Sequence, residues 1–285
     1  MAAHTRYGTT QVRARSVSMP CGVTSRHTVG PMCNLYNVSP KGEAEHYIGK
    51  VAMLPDYVLG TVGPFQAGLF LRPVEGSLLG QIGQWGLIRP GAPSRIELIE
   101  PKVMPGAKPR KPQPKSTNNA RLESAHRLPT FSAAWKAGQR CLIPASWYQE
   151  PNWETGRNIW WQLRRADGLP WMLAGLWSEW TDPQTGEVVP NFTMLTRNCN
   201  EHPLLNRLHK PDPKLKPGEP EDKRAVVHVE PERWDAWLMG SEAQAREVLS
   251  VLSPPEFFDL SDAKRTDRVL AEKSAPGQDA QPGLF

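Results

Sequence analysis

The chain has 285 residues and a mass of 31.8 kDa, with 39% apolar and 22% charged residues, which fits a folded globular protein with a substantial core and excludes a disordered or fibrous one. No apolar run approaches the roughly 18 residues that a membrane helix needs, so a soluble protein with no membrane partner is expected. The net charge of +5 is uneven: residues 1–31 hold Arg6, Arg13, Arg15 and Arg26 and no acid, and the rest of the chain is nearly balanced, so the charge alone does not argue for nucleic acid.

In chain order, residues 1–31 lack the apolar segment of a secretory signal and have no helical or strand period, and they read as a leader. Either the start is assigned too far upstream or the leader is removed. Residues 32–263 read as one unit in which Pro and Gly mark turns between short strands and helices. A helix is expected at Lys41–Gly49, strands at Gly80–Ile88 and Arg140–Pro144, and between them a helix at Thr130–Ala137. Further strands are expected at Asn158–Leu163, Trp171–Trp177, Asn191–Thr196 and Arg224–Val229, then helices at Glu232–Met239 and Ser241–Leu252. Without regular β-α-β alternation the expected fold class is α+β: a single domain of mainly antiparallel strands forming a curved sheet or pseudo-barrel with flanking helices. Two Pro/Lys-rich stretches, 101–115 and 210–223, read as loops, and residues 264–285 as a flexible polar tail.

Three features bear on function. Cys21, Cys33, Cys141 and Cys199 stand far apart without a C-x-x-C pair, which argues for a reducing compartment and against a zinc centre; no metal or cofactor is expected. From Lys102 to Arg127 seven basic residues, among them Arg110, Lys111, Lys115 and Arg121, face the single acid Glu123. Such a run is either a solvated loop or a phosphate track. Eleven tryptophans exceed ordinary usage; Trp160, Trp171, Trp177, Trp180, Trp234 and Trp237 are expected in the core.

Met32-Cys33 opens the segment M-C-N-L-Y-N where globular character begins. If translation starts at Met32 and the methionine is removed, Cys33 becomes a 1,2-aminothiol, with an amine pKa near 7.7–8.0 beside a thiol near 8.5. An aldehyde condenses with such an amine to an imine, which the thiol closes to a five-membered thiazolidine. Read alone, Cys33 is a small buried apolar residue, Asn119 a turn residue and Glu150 a solvated acid.

M-C-N-L-Y-N, Q-W-G-L-I-R-P (84–90), N-A-R-L-E-S (119–124), R-C-L-I-P-A-S-W-Y-Q-E (140–150) and P-L-L-N-R-L-H (203–209) occur in that order. Together they resemble the signature blocks of the SOS response-associated peptidase (SRAP) family, the abasic-site processing proteins, over most of the chain. The resemblance implies an SOS-associated protein, cytoplasmic and nucleoid-associated if the source is bacterial, that binds single-stranded DNA and traps the ring-opened aldehyde of an abasic site as a covalent thiazolidine crosslink, with accompanying AP-lyase and self-processing peptidase activity. It implies four catalytic residues, Cys33 as nucleophile, Asn119 holding the sugar or aldehyde oxygen, and Glu150 and His209 as proton-transfer groups, with His202 and His228 competing for the last role. Arg121 matches a DNA-contacting arginine and Trp85 a tryptophan near the DNA, making Trp85 a base-stacking candidate with core packing as its alternative. The chain departs from the pattern in having Asn34-Leu35 where Gly-Arg is common and Pro151 where an aromatic follows the glutamate. The stretch 210–223 looks inserted after His209, and the loop before Asn119 is long. Two other readings stay open: a cysteine peptidase using Cys33 and His209 with Glu150 or Asn119 as orienter, and a non-catalytic single-strand binder. The last five residues, Gln281 to Phe285, resemble the Q-x-x-L-F peptide that binds the bacterial sliding clamp.

Overall fold

Thirteen strands and six α-helices run through residues 34–48, 51–101, 110–216 and 218–274, the parts of the chain that the computed structural model describes. The first half contains β1 (Leu35–Val38), α1 (Lys41–Ile48), β2 (Val51–Met53), β3 (Thr61–Val62), β4 (Ala67–Val74), β5 (Ser77–Trp85), β6 (Leu98–Ile99), β7 (Gln113–Pro114), β8 (Asn119–Arg121), α2 (Leu122–Ala125) and α3 (Ser132–Lys136). The second half contains β9 (Arg140–Asn152), β10 (Ile159–Leu163), β11 (Trp171–Thr181), β12 (Val188–Asn198), β13 (Arg224–Val226), α4 (Trp234–Leu238), α5 (Glu242–Val248) and α6 (Ser261–Ser274).

Five strands close on themselves in the order β11, β12, β5, β4, β9 and back to β11, giving a barrel-like sheet to which the remaining strands add. Every contact around this ring is antiparallel except β12 with β5. The α+β, mainly antiparallel pseudo-barrel expected from the sequence is the fold observed. Its curvature depends on small residues. Gly68 and Gly83 pair across β4 and β5, and a Cβ on Gly83 would lie 2.6 Å from the Pro190 carbonyl oxygen, so the neighbouring strand could not approach any other residue as closely. The interior is filled by Tyr36, Phe70, Trp85, Tyr148, Trp161, Trp171, Phe192 and Trp237 with surrounding aliphatic side chains, all but fully buried.

β9 is the spine. It pairs with β1, β4, β10 and β11, and its register against β1 slips by one between Asn37 and Val38, because Asn37 faces Trp147 while Val38 faces Ala145. Ser146 is the extra residue of this bulge. Beyond it Tyr148, Glu150 and Asn152 are buried while Gln149 and Pro151 are half-buried, the period-2 pattern of a strand with one inward face.

The sequence expectations need several corrections. β9 runs to Asn152 although Pro144 was expected to end it, and β4, β1 and β8 were not expected at all. β5 stops at Trp85, short of Ile88, because Gly86 turns the chain with φ at 146°. Trp160 is 43% exposed, since the alternation of β10 gives the inward position to Trp161. Residues 264–274 are not a tail: α6 packs Ala263 and Thr266 inward, and Thr266 Oγ1 accepts a hydrogen bond from the Trp161 indole at 3.0 Å. At its start Asp262 accepts the Gln162 amide of the β10 edge. Among the described residues no helix is long and apolar enough to cross a membrane.

Candidate active site

The inward face of β9 meets the segment after Leu205–Arg207. Asn152 bridges to Leu208, and the His209 amide donates to the Pro151 carbonyl at 2.6 Å. His209 holds φ at 66°, a left-handed conformation uncommon for a residue with a Cβ and one that needs surrounding bonds to persist. The Lys223 ammonium supplies one, donating to the His209 carbonyl at 2.9 Å.

This turn sets the imidazole beside Glu150. Nε2 lies 2.6 Å from the Arg224 carbonyl oxygen, which can only accept, so a neutral ring carries its proton on Nε2 and turns the Nδ1 lone pair toward Glu150 Oε2, 3.7 Å away. Burial pushes the His209 pKa down. The Arg224 carbonyl works against that shift, and the Lys223 and Arg224 charges add to it. The ring is therefore neutral at neutral pH, and the pair is a poised base and carboxyl rather than a standing ion pair. The Glu150 side chain is 2% exposed. Its reach extends to Cys199, whose thiol is pushed up to about 12 by burial first and by the Glu150 charge second. The solvated-acid reading of Glu150 is thus excluded by its burial.

The other histidines have structural work. His202 accepts the Leu204 and Leu205 amides on Nδ1 and donates from Nε2 to the Ser253 carbonyl, fixing the turn that leads to His209. His228 stacks on Trp171 at 4.0 Å and bonds the Tyr148 hydroxyl; burial pushes its pKa down to about 3, so it stays neutral inside the aromatic core.

Asn119 and Arg121 lie on β8, paired in parallel with Met194 and Thr196 of β12. Arg121 is half exposed and pairs with Asp222 at 2.5 Å, and Asp222 also accepts from Arg224. Arg224, nearly buried, forks onto Glu123 while its carbonyl holds His209, so it ties the β8 end to the His209 turn. Sequence reading missed Asp222, Lys223 and Arg224; a short run of charges where an apparent insertion passes into a strand gave no sign of which strand ends it would reach.

Trp85 is a correction. It is fully buried, edge-on to Tyr36 at 5.0 Å, with its indole N–H donating to the Asn118 carbonyl. A base would reach its face only by opening the core, so its place is to hold the segment leading into β8. In the basic run, Lys115 is tethered to Glu97, which also holds Arg89. Arg110 and Lys111 are exposed, and among the described residues neither forms an ion pair. Cys33, the leader and Gln281 to Phe285 lie outside the described residues. The described chain resumes at Asn34, and the next residue, Leu35, pairs with Gln149, the neighbour of Glu150.

Among the described residues no group of three or more His, Cys, Asp or Glu side chains is arranged to hold a metal ion. The sequence profile described as SOS response associated peptidase (SRAP) matches residues 8–269. No curated protein matches. Among solved structures, a protein from Bordetella bronchiseptica is 29% identical with a TM-score of 0.65, covering 80% of this chain and 97% of its own. A protein from Bacteroides thetaiotaomicron at 19% identity, with a TM-score of 0.56 and coverage of 80% and 90%, shares the fold. So does a phage-related protein from Bordetella bronchiseptica at 17% identity, with a TM-score of 0.52 and coverage of 80% and 92%. With the profile spanning nearly all of the sequence, this chain belongs to the SOS response-associated peptidase (SRAP) family, a family of the DNA damage response.

Proposed function

We propose that the protein senses abasic sites in single-stranded DNA and captures them covalently through Cys33. The observation that carries this reading is the buried Glu150 beside a neutral His209, at the end of β9 where β1 begins, since β1 leads back through Asn34 to Cys33. The capture needs a free α-amine on Cys33, hence a chain that starts at Met32 and loses it, or one whose leader is cut away.

The reaction balances with one water lost. The amine attacks the aldehyde of the ring-opened sugar to form a carbinolamine, and a proton delivered from Glu150 lets its hydroxyl leave as water. The sulfur then adds to the imine carbon, the imine nitrogen takes a proton, and the five-membered ring closes. His209 Nδ1 is available to take the proton whose loss frees the amine or the thiol for attack, and Glu150 exchanges protons with it across the 3.7 Å gap. The same base removes a sugar proton in the associated β-elimination. Asn119 and Arg121 bring donors from β8, for the sugar oxygen and a flanking phosphate respectively, and Arg110, Lys111 and Lys115 extend the phosphate track. The C-terminal Q-P-G-L-F offers a tether to the sliding clamp, which deletion of Pro282 to Phe285 would remove.

The test is the intact mass of the chain begun at Met32 after mixing with single-stranded DNA carrying one abasic site. Protein lacking Met32 plus DNA minus one water is the expected product. Unshifted protein with Met32 verified as removed overturns the mechanism. One residue added before Cys33 abolishes capture, whereas a peptidase that uses only the thiol keeps its activity.

A further inference from the structure

Arg121, Arg224 and Asn198 converge on one carboxylate. Asp222 Oδ2 accepts from Arg121 at 2.5 Å, and Oδ1 accepts from Arg224 and from Asn198 Nδ2, each at 3.2 Å. The donors come from β8, β13 and the end of β12, three paired strands, so the cradle is rigid. Two basic side chains and an amide around a pair of oxygens also suit a phosphodiester. We propose that this cradle is a DNA phosphate subsite which the free protein fills with its own Asp222, so that DNA binds at Arg121 by displacing that carboxylate. The inference rests on the reading of the protein as a single-strand binder and adds to it a built-in competitor.

Three observations support displacement over a fixed structural bridge. The charges of the cluster, Arg121 and Arg224 against Glu123 and Asp222, sum to zero, and exchanging a carboxylate for a singly charged phosphodiester keeps that balance. Arg224 stays paired with Glu123 when Asp222 leaves, so no buried cation is abandoned. The Asp222 and Arg121 side chains are about half exposed, and the backbone around Asp222 is pinned independently of its carboxylate. The Glu221 carbonyl accepts from Asn200, the Lys223 amide donates to Asn200, and the Lys223 carbonyl accepts from the Cys199 amide. Release therefore needs only a rotation of the Asp222 side chain into solvent.

The experiment measures affinity for single-stranded DNA without an abasic site, as a function of salt, for the wild-type chain, Asp222→Asn and Asp222→Ser, each with and without Arg121→Ala. In the wild type the freed Asp222 regains a counterion as the phosphate releases one, whereas the neutral variants leave Arg121 uncompensated. Both variants are expected to bind roughly two- to fivefold tighter at low salt. Their log–log salt dependence should steepen by about 0.7. With Arg121→Ala both differences should vanish. Unchanged or weaker binding by both variants overturns the displacement, as does a gain that survives Arg121→Ala. Wild-type binding without that gain overturns this inference alone; no binding by any form overturns the proposed function with it.

Discussion

Gly68→Ala tests how tightly the barrel is closed behind the site. A Cβ on Gly68 would lie 2.1 Å from the Tyr36 hydroxyl oxygen, 3.0 Å from Phe192 Cζ and 3.3 Å from Tyr36 Cζ. A carbon and an oxygen need well over 3 Å, so Tyr36 must move by about 1 Å or the β4 backbone must retreat. Tyr36 is fully buried and locked edge-on to Trp85, which leaves it nowhere to go. Overpacking of this kind costs about 1–3 kcal/mol, and the short distance puts this case at the upper end. For a domain of this size, 3 kcal/mol lowers the midpoint of thermal unfolding by roughly 6–12 °C. Tyr36→Phe removes the closest atom and leaves the 3.0 Å contact to Phe192, so Gly68→Ala in that background should cost only about 1 kcal/mol. The assay is urea and thermal unfolding of the four proteins of this double-mutant cycle. A cost below about 0.5 kcal/mol for Gly68→Ala, or no recovery with Tyr36→Phe, would refute the packing argument.

Further expectations follow from the site and the core. Glu150→Gln should slow abasic-site capture about 10²-fold while affinity for intact single-stranded DNA stays within twofold, read by denaturing gels and by anisotropy. Trp85→Ala should destabilise the fold by about 3–5 kcal/mol in urea, without a separate loss of DNA affinity in the molecules that remain folded. The buried His228 has a folded pKa near 3, below its unfolded value, so the unfolded chain binds the extra proton. Stability is then complete above about pH 6.5 and falls with decreasing pH by about 1.4 kcal/mol per unit toward pH 3. His228→Gln should flatten that slope, and an unchanged slope would assign it to other groups.

The fold was legible where local pattern and burial agree. The strands at Asn158–Leu163, Trp171–Trp177 and Asn191–Thr196 all appear, because their apolar residues alternate or run continuously as buried strands do. β4 escaped notice because Gly68 and Pro73 read as turn residues, whereas the barrel uses Gly68 to let Tyr36 in. α6 escaped because its sequence is mostly polar and its helix is held by few inward residues and by side chains reaching other elements, such as Asp267 on Arg207 and Lys273 on the Thr155 carbonyl. At the site, Glu150 and His209 stood out only through the block resemblance, and their pairing depends on 58 residues of intervening chain folding back. Trp85 carried the same resemblance, yet nothing local separates a tryptophan that faces a ligand from one that faces Tyr36.

The extra residue at Ser146 decides a matter of parity. A strand has only two sides, and counting forward from the bulge makes the even positions 148, 150 and 152 the inner ones. Deleting Ser146 would leave Asn37 paired with Trp147 and Tyr36 with Tyr148, and Glu150 still inward. With Ser146 kept but paired as an ordinary strand residue, alternation from the buried Ala145 would instead turn Trp147, Gln149 and Pro151 toward the interior, and Glu150 would point into solvent, away from His209. The candidate site is thus encoded in whether a count is odd or even as much as in which residues it contains.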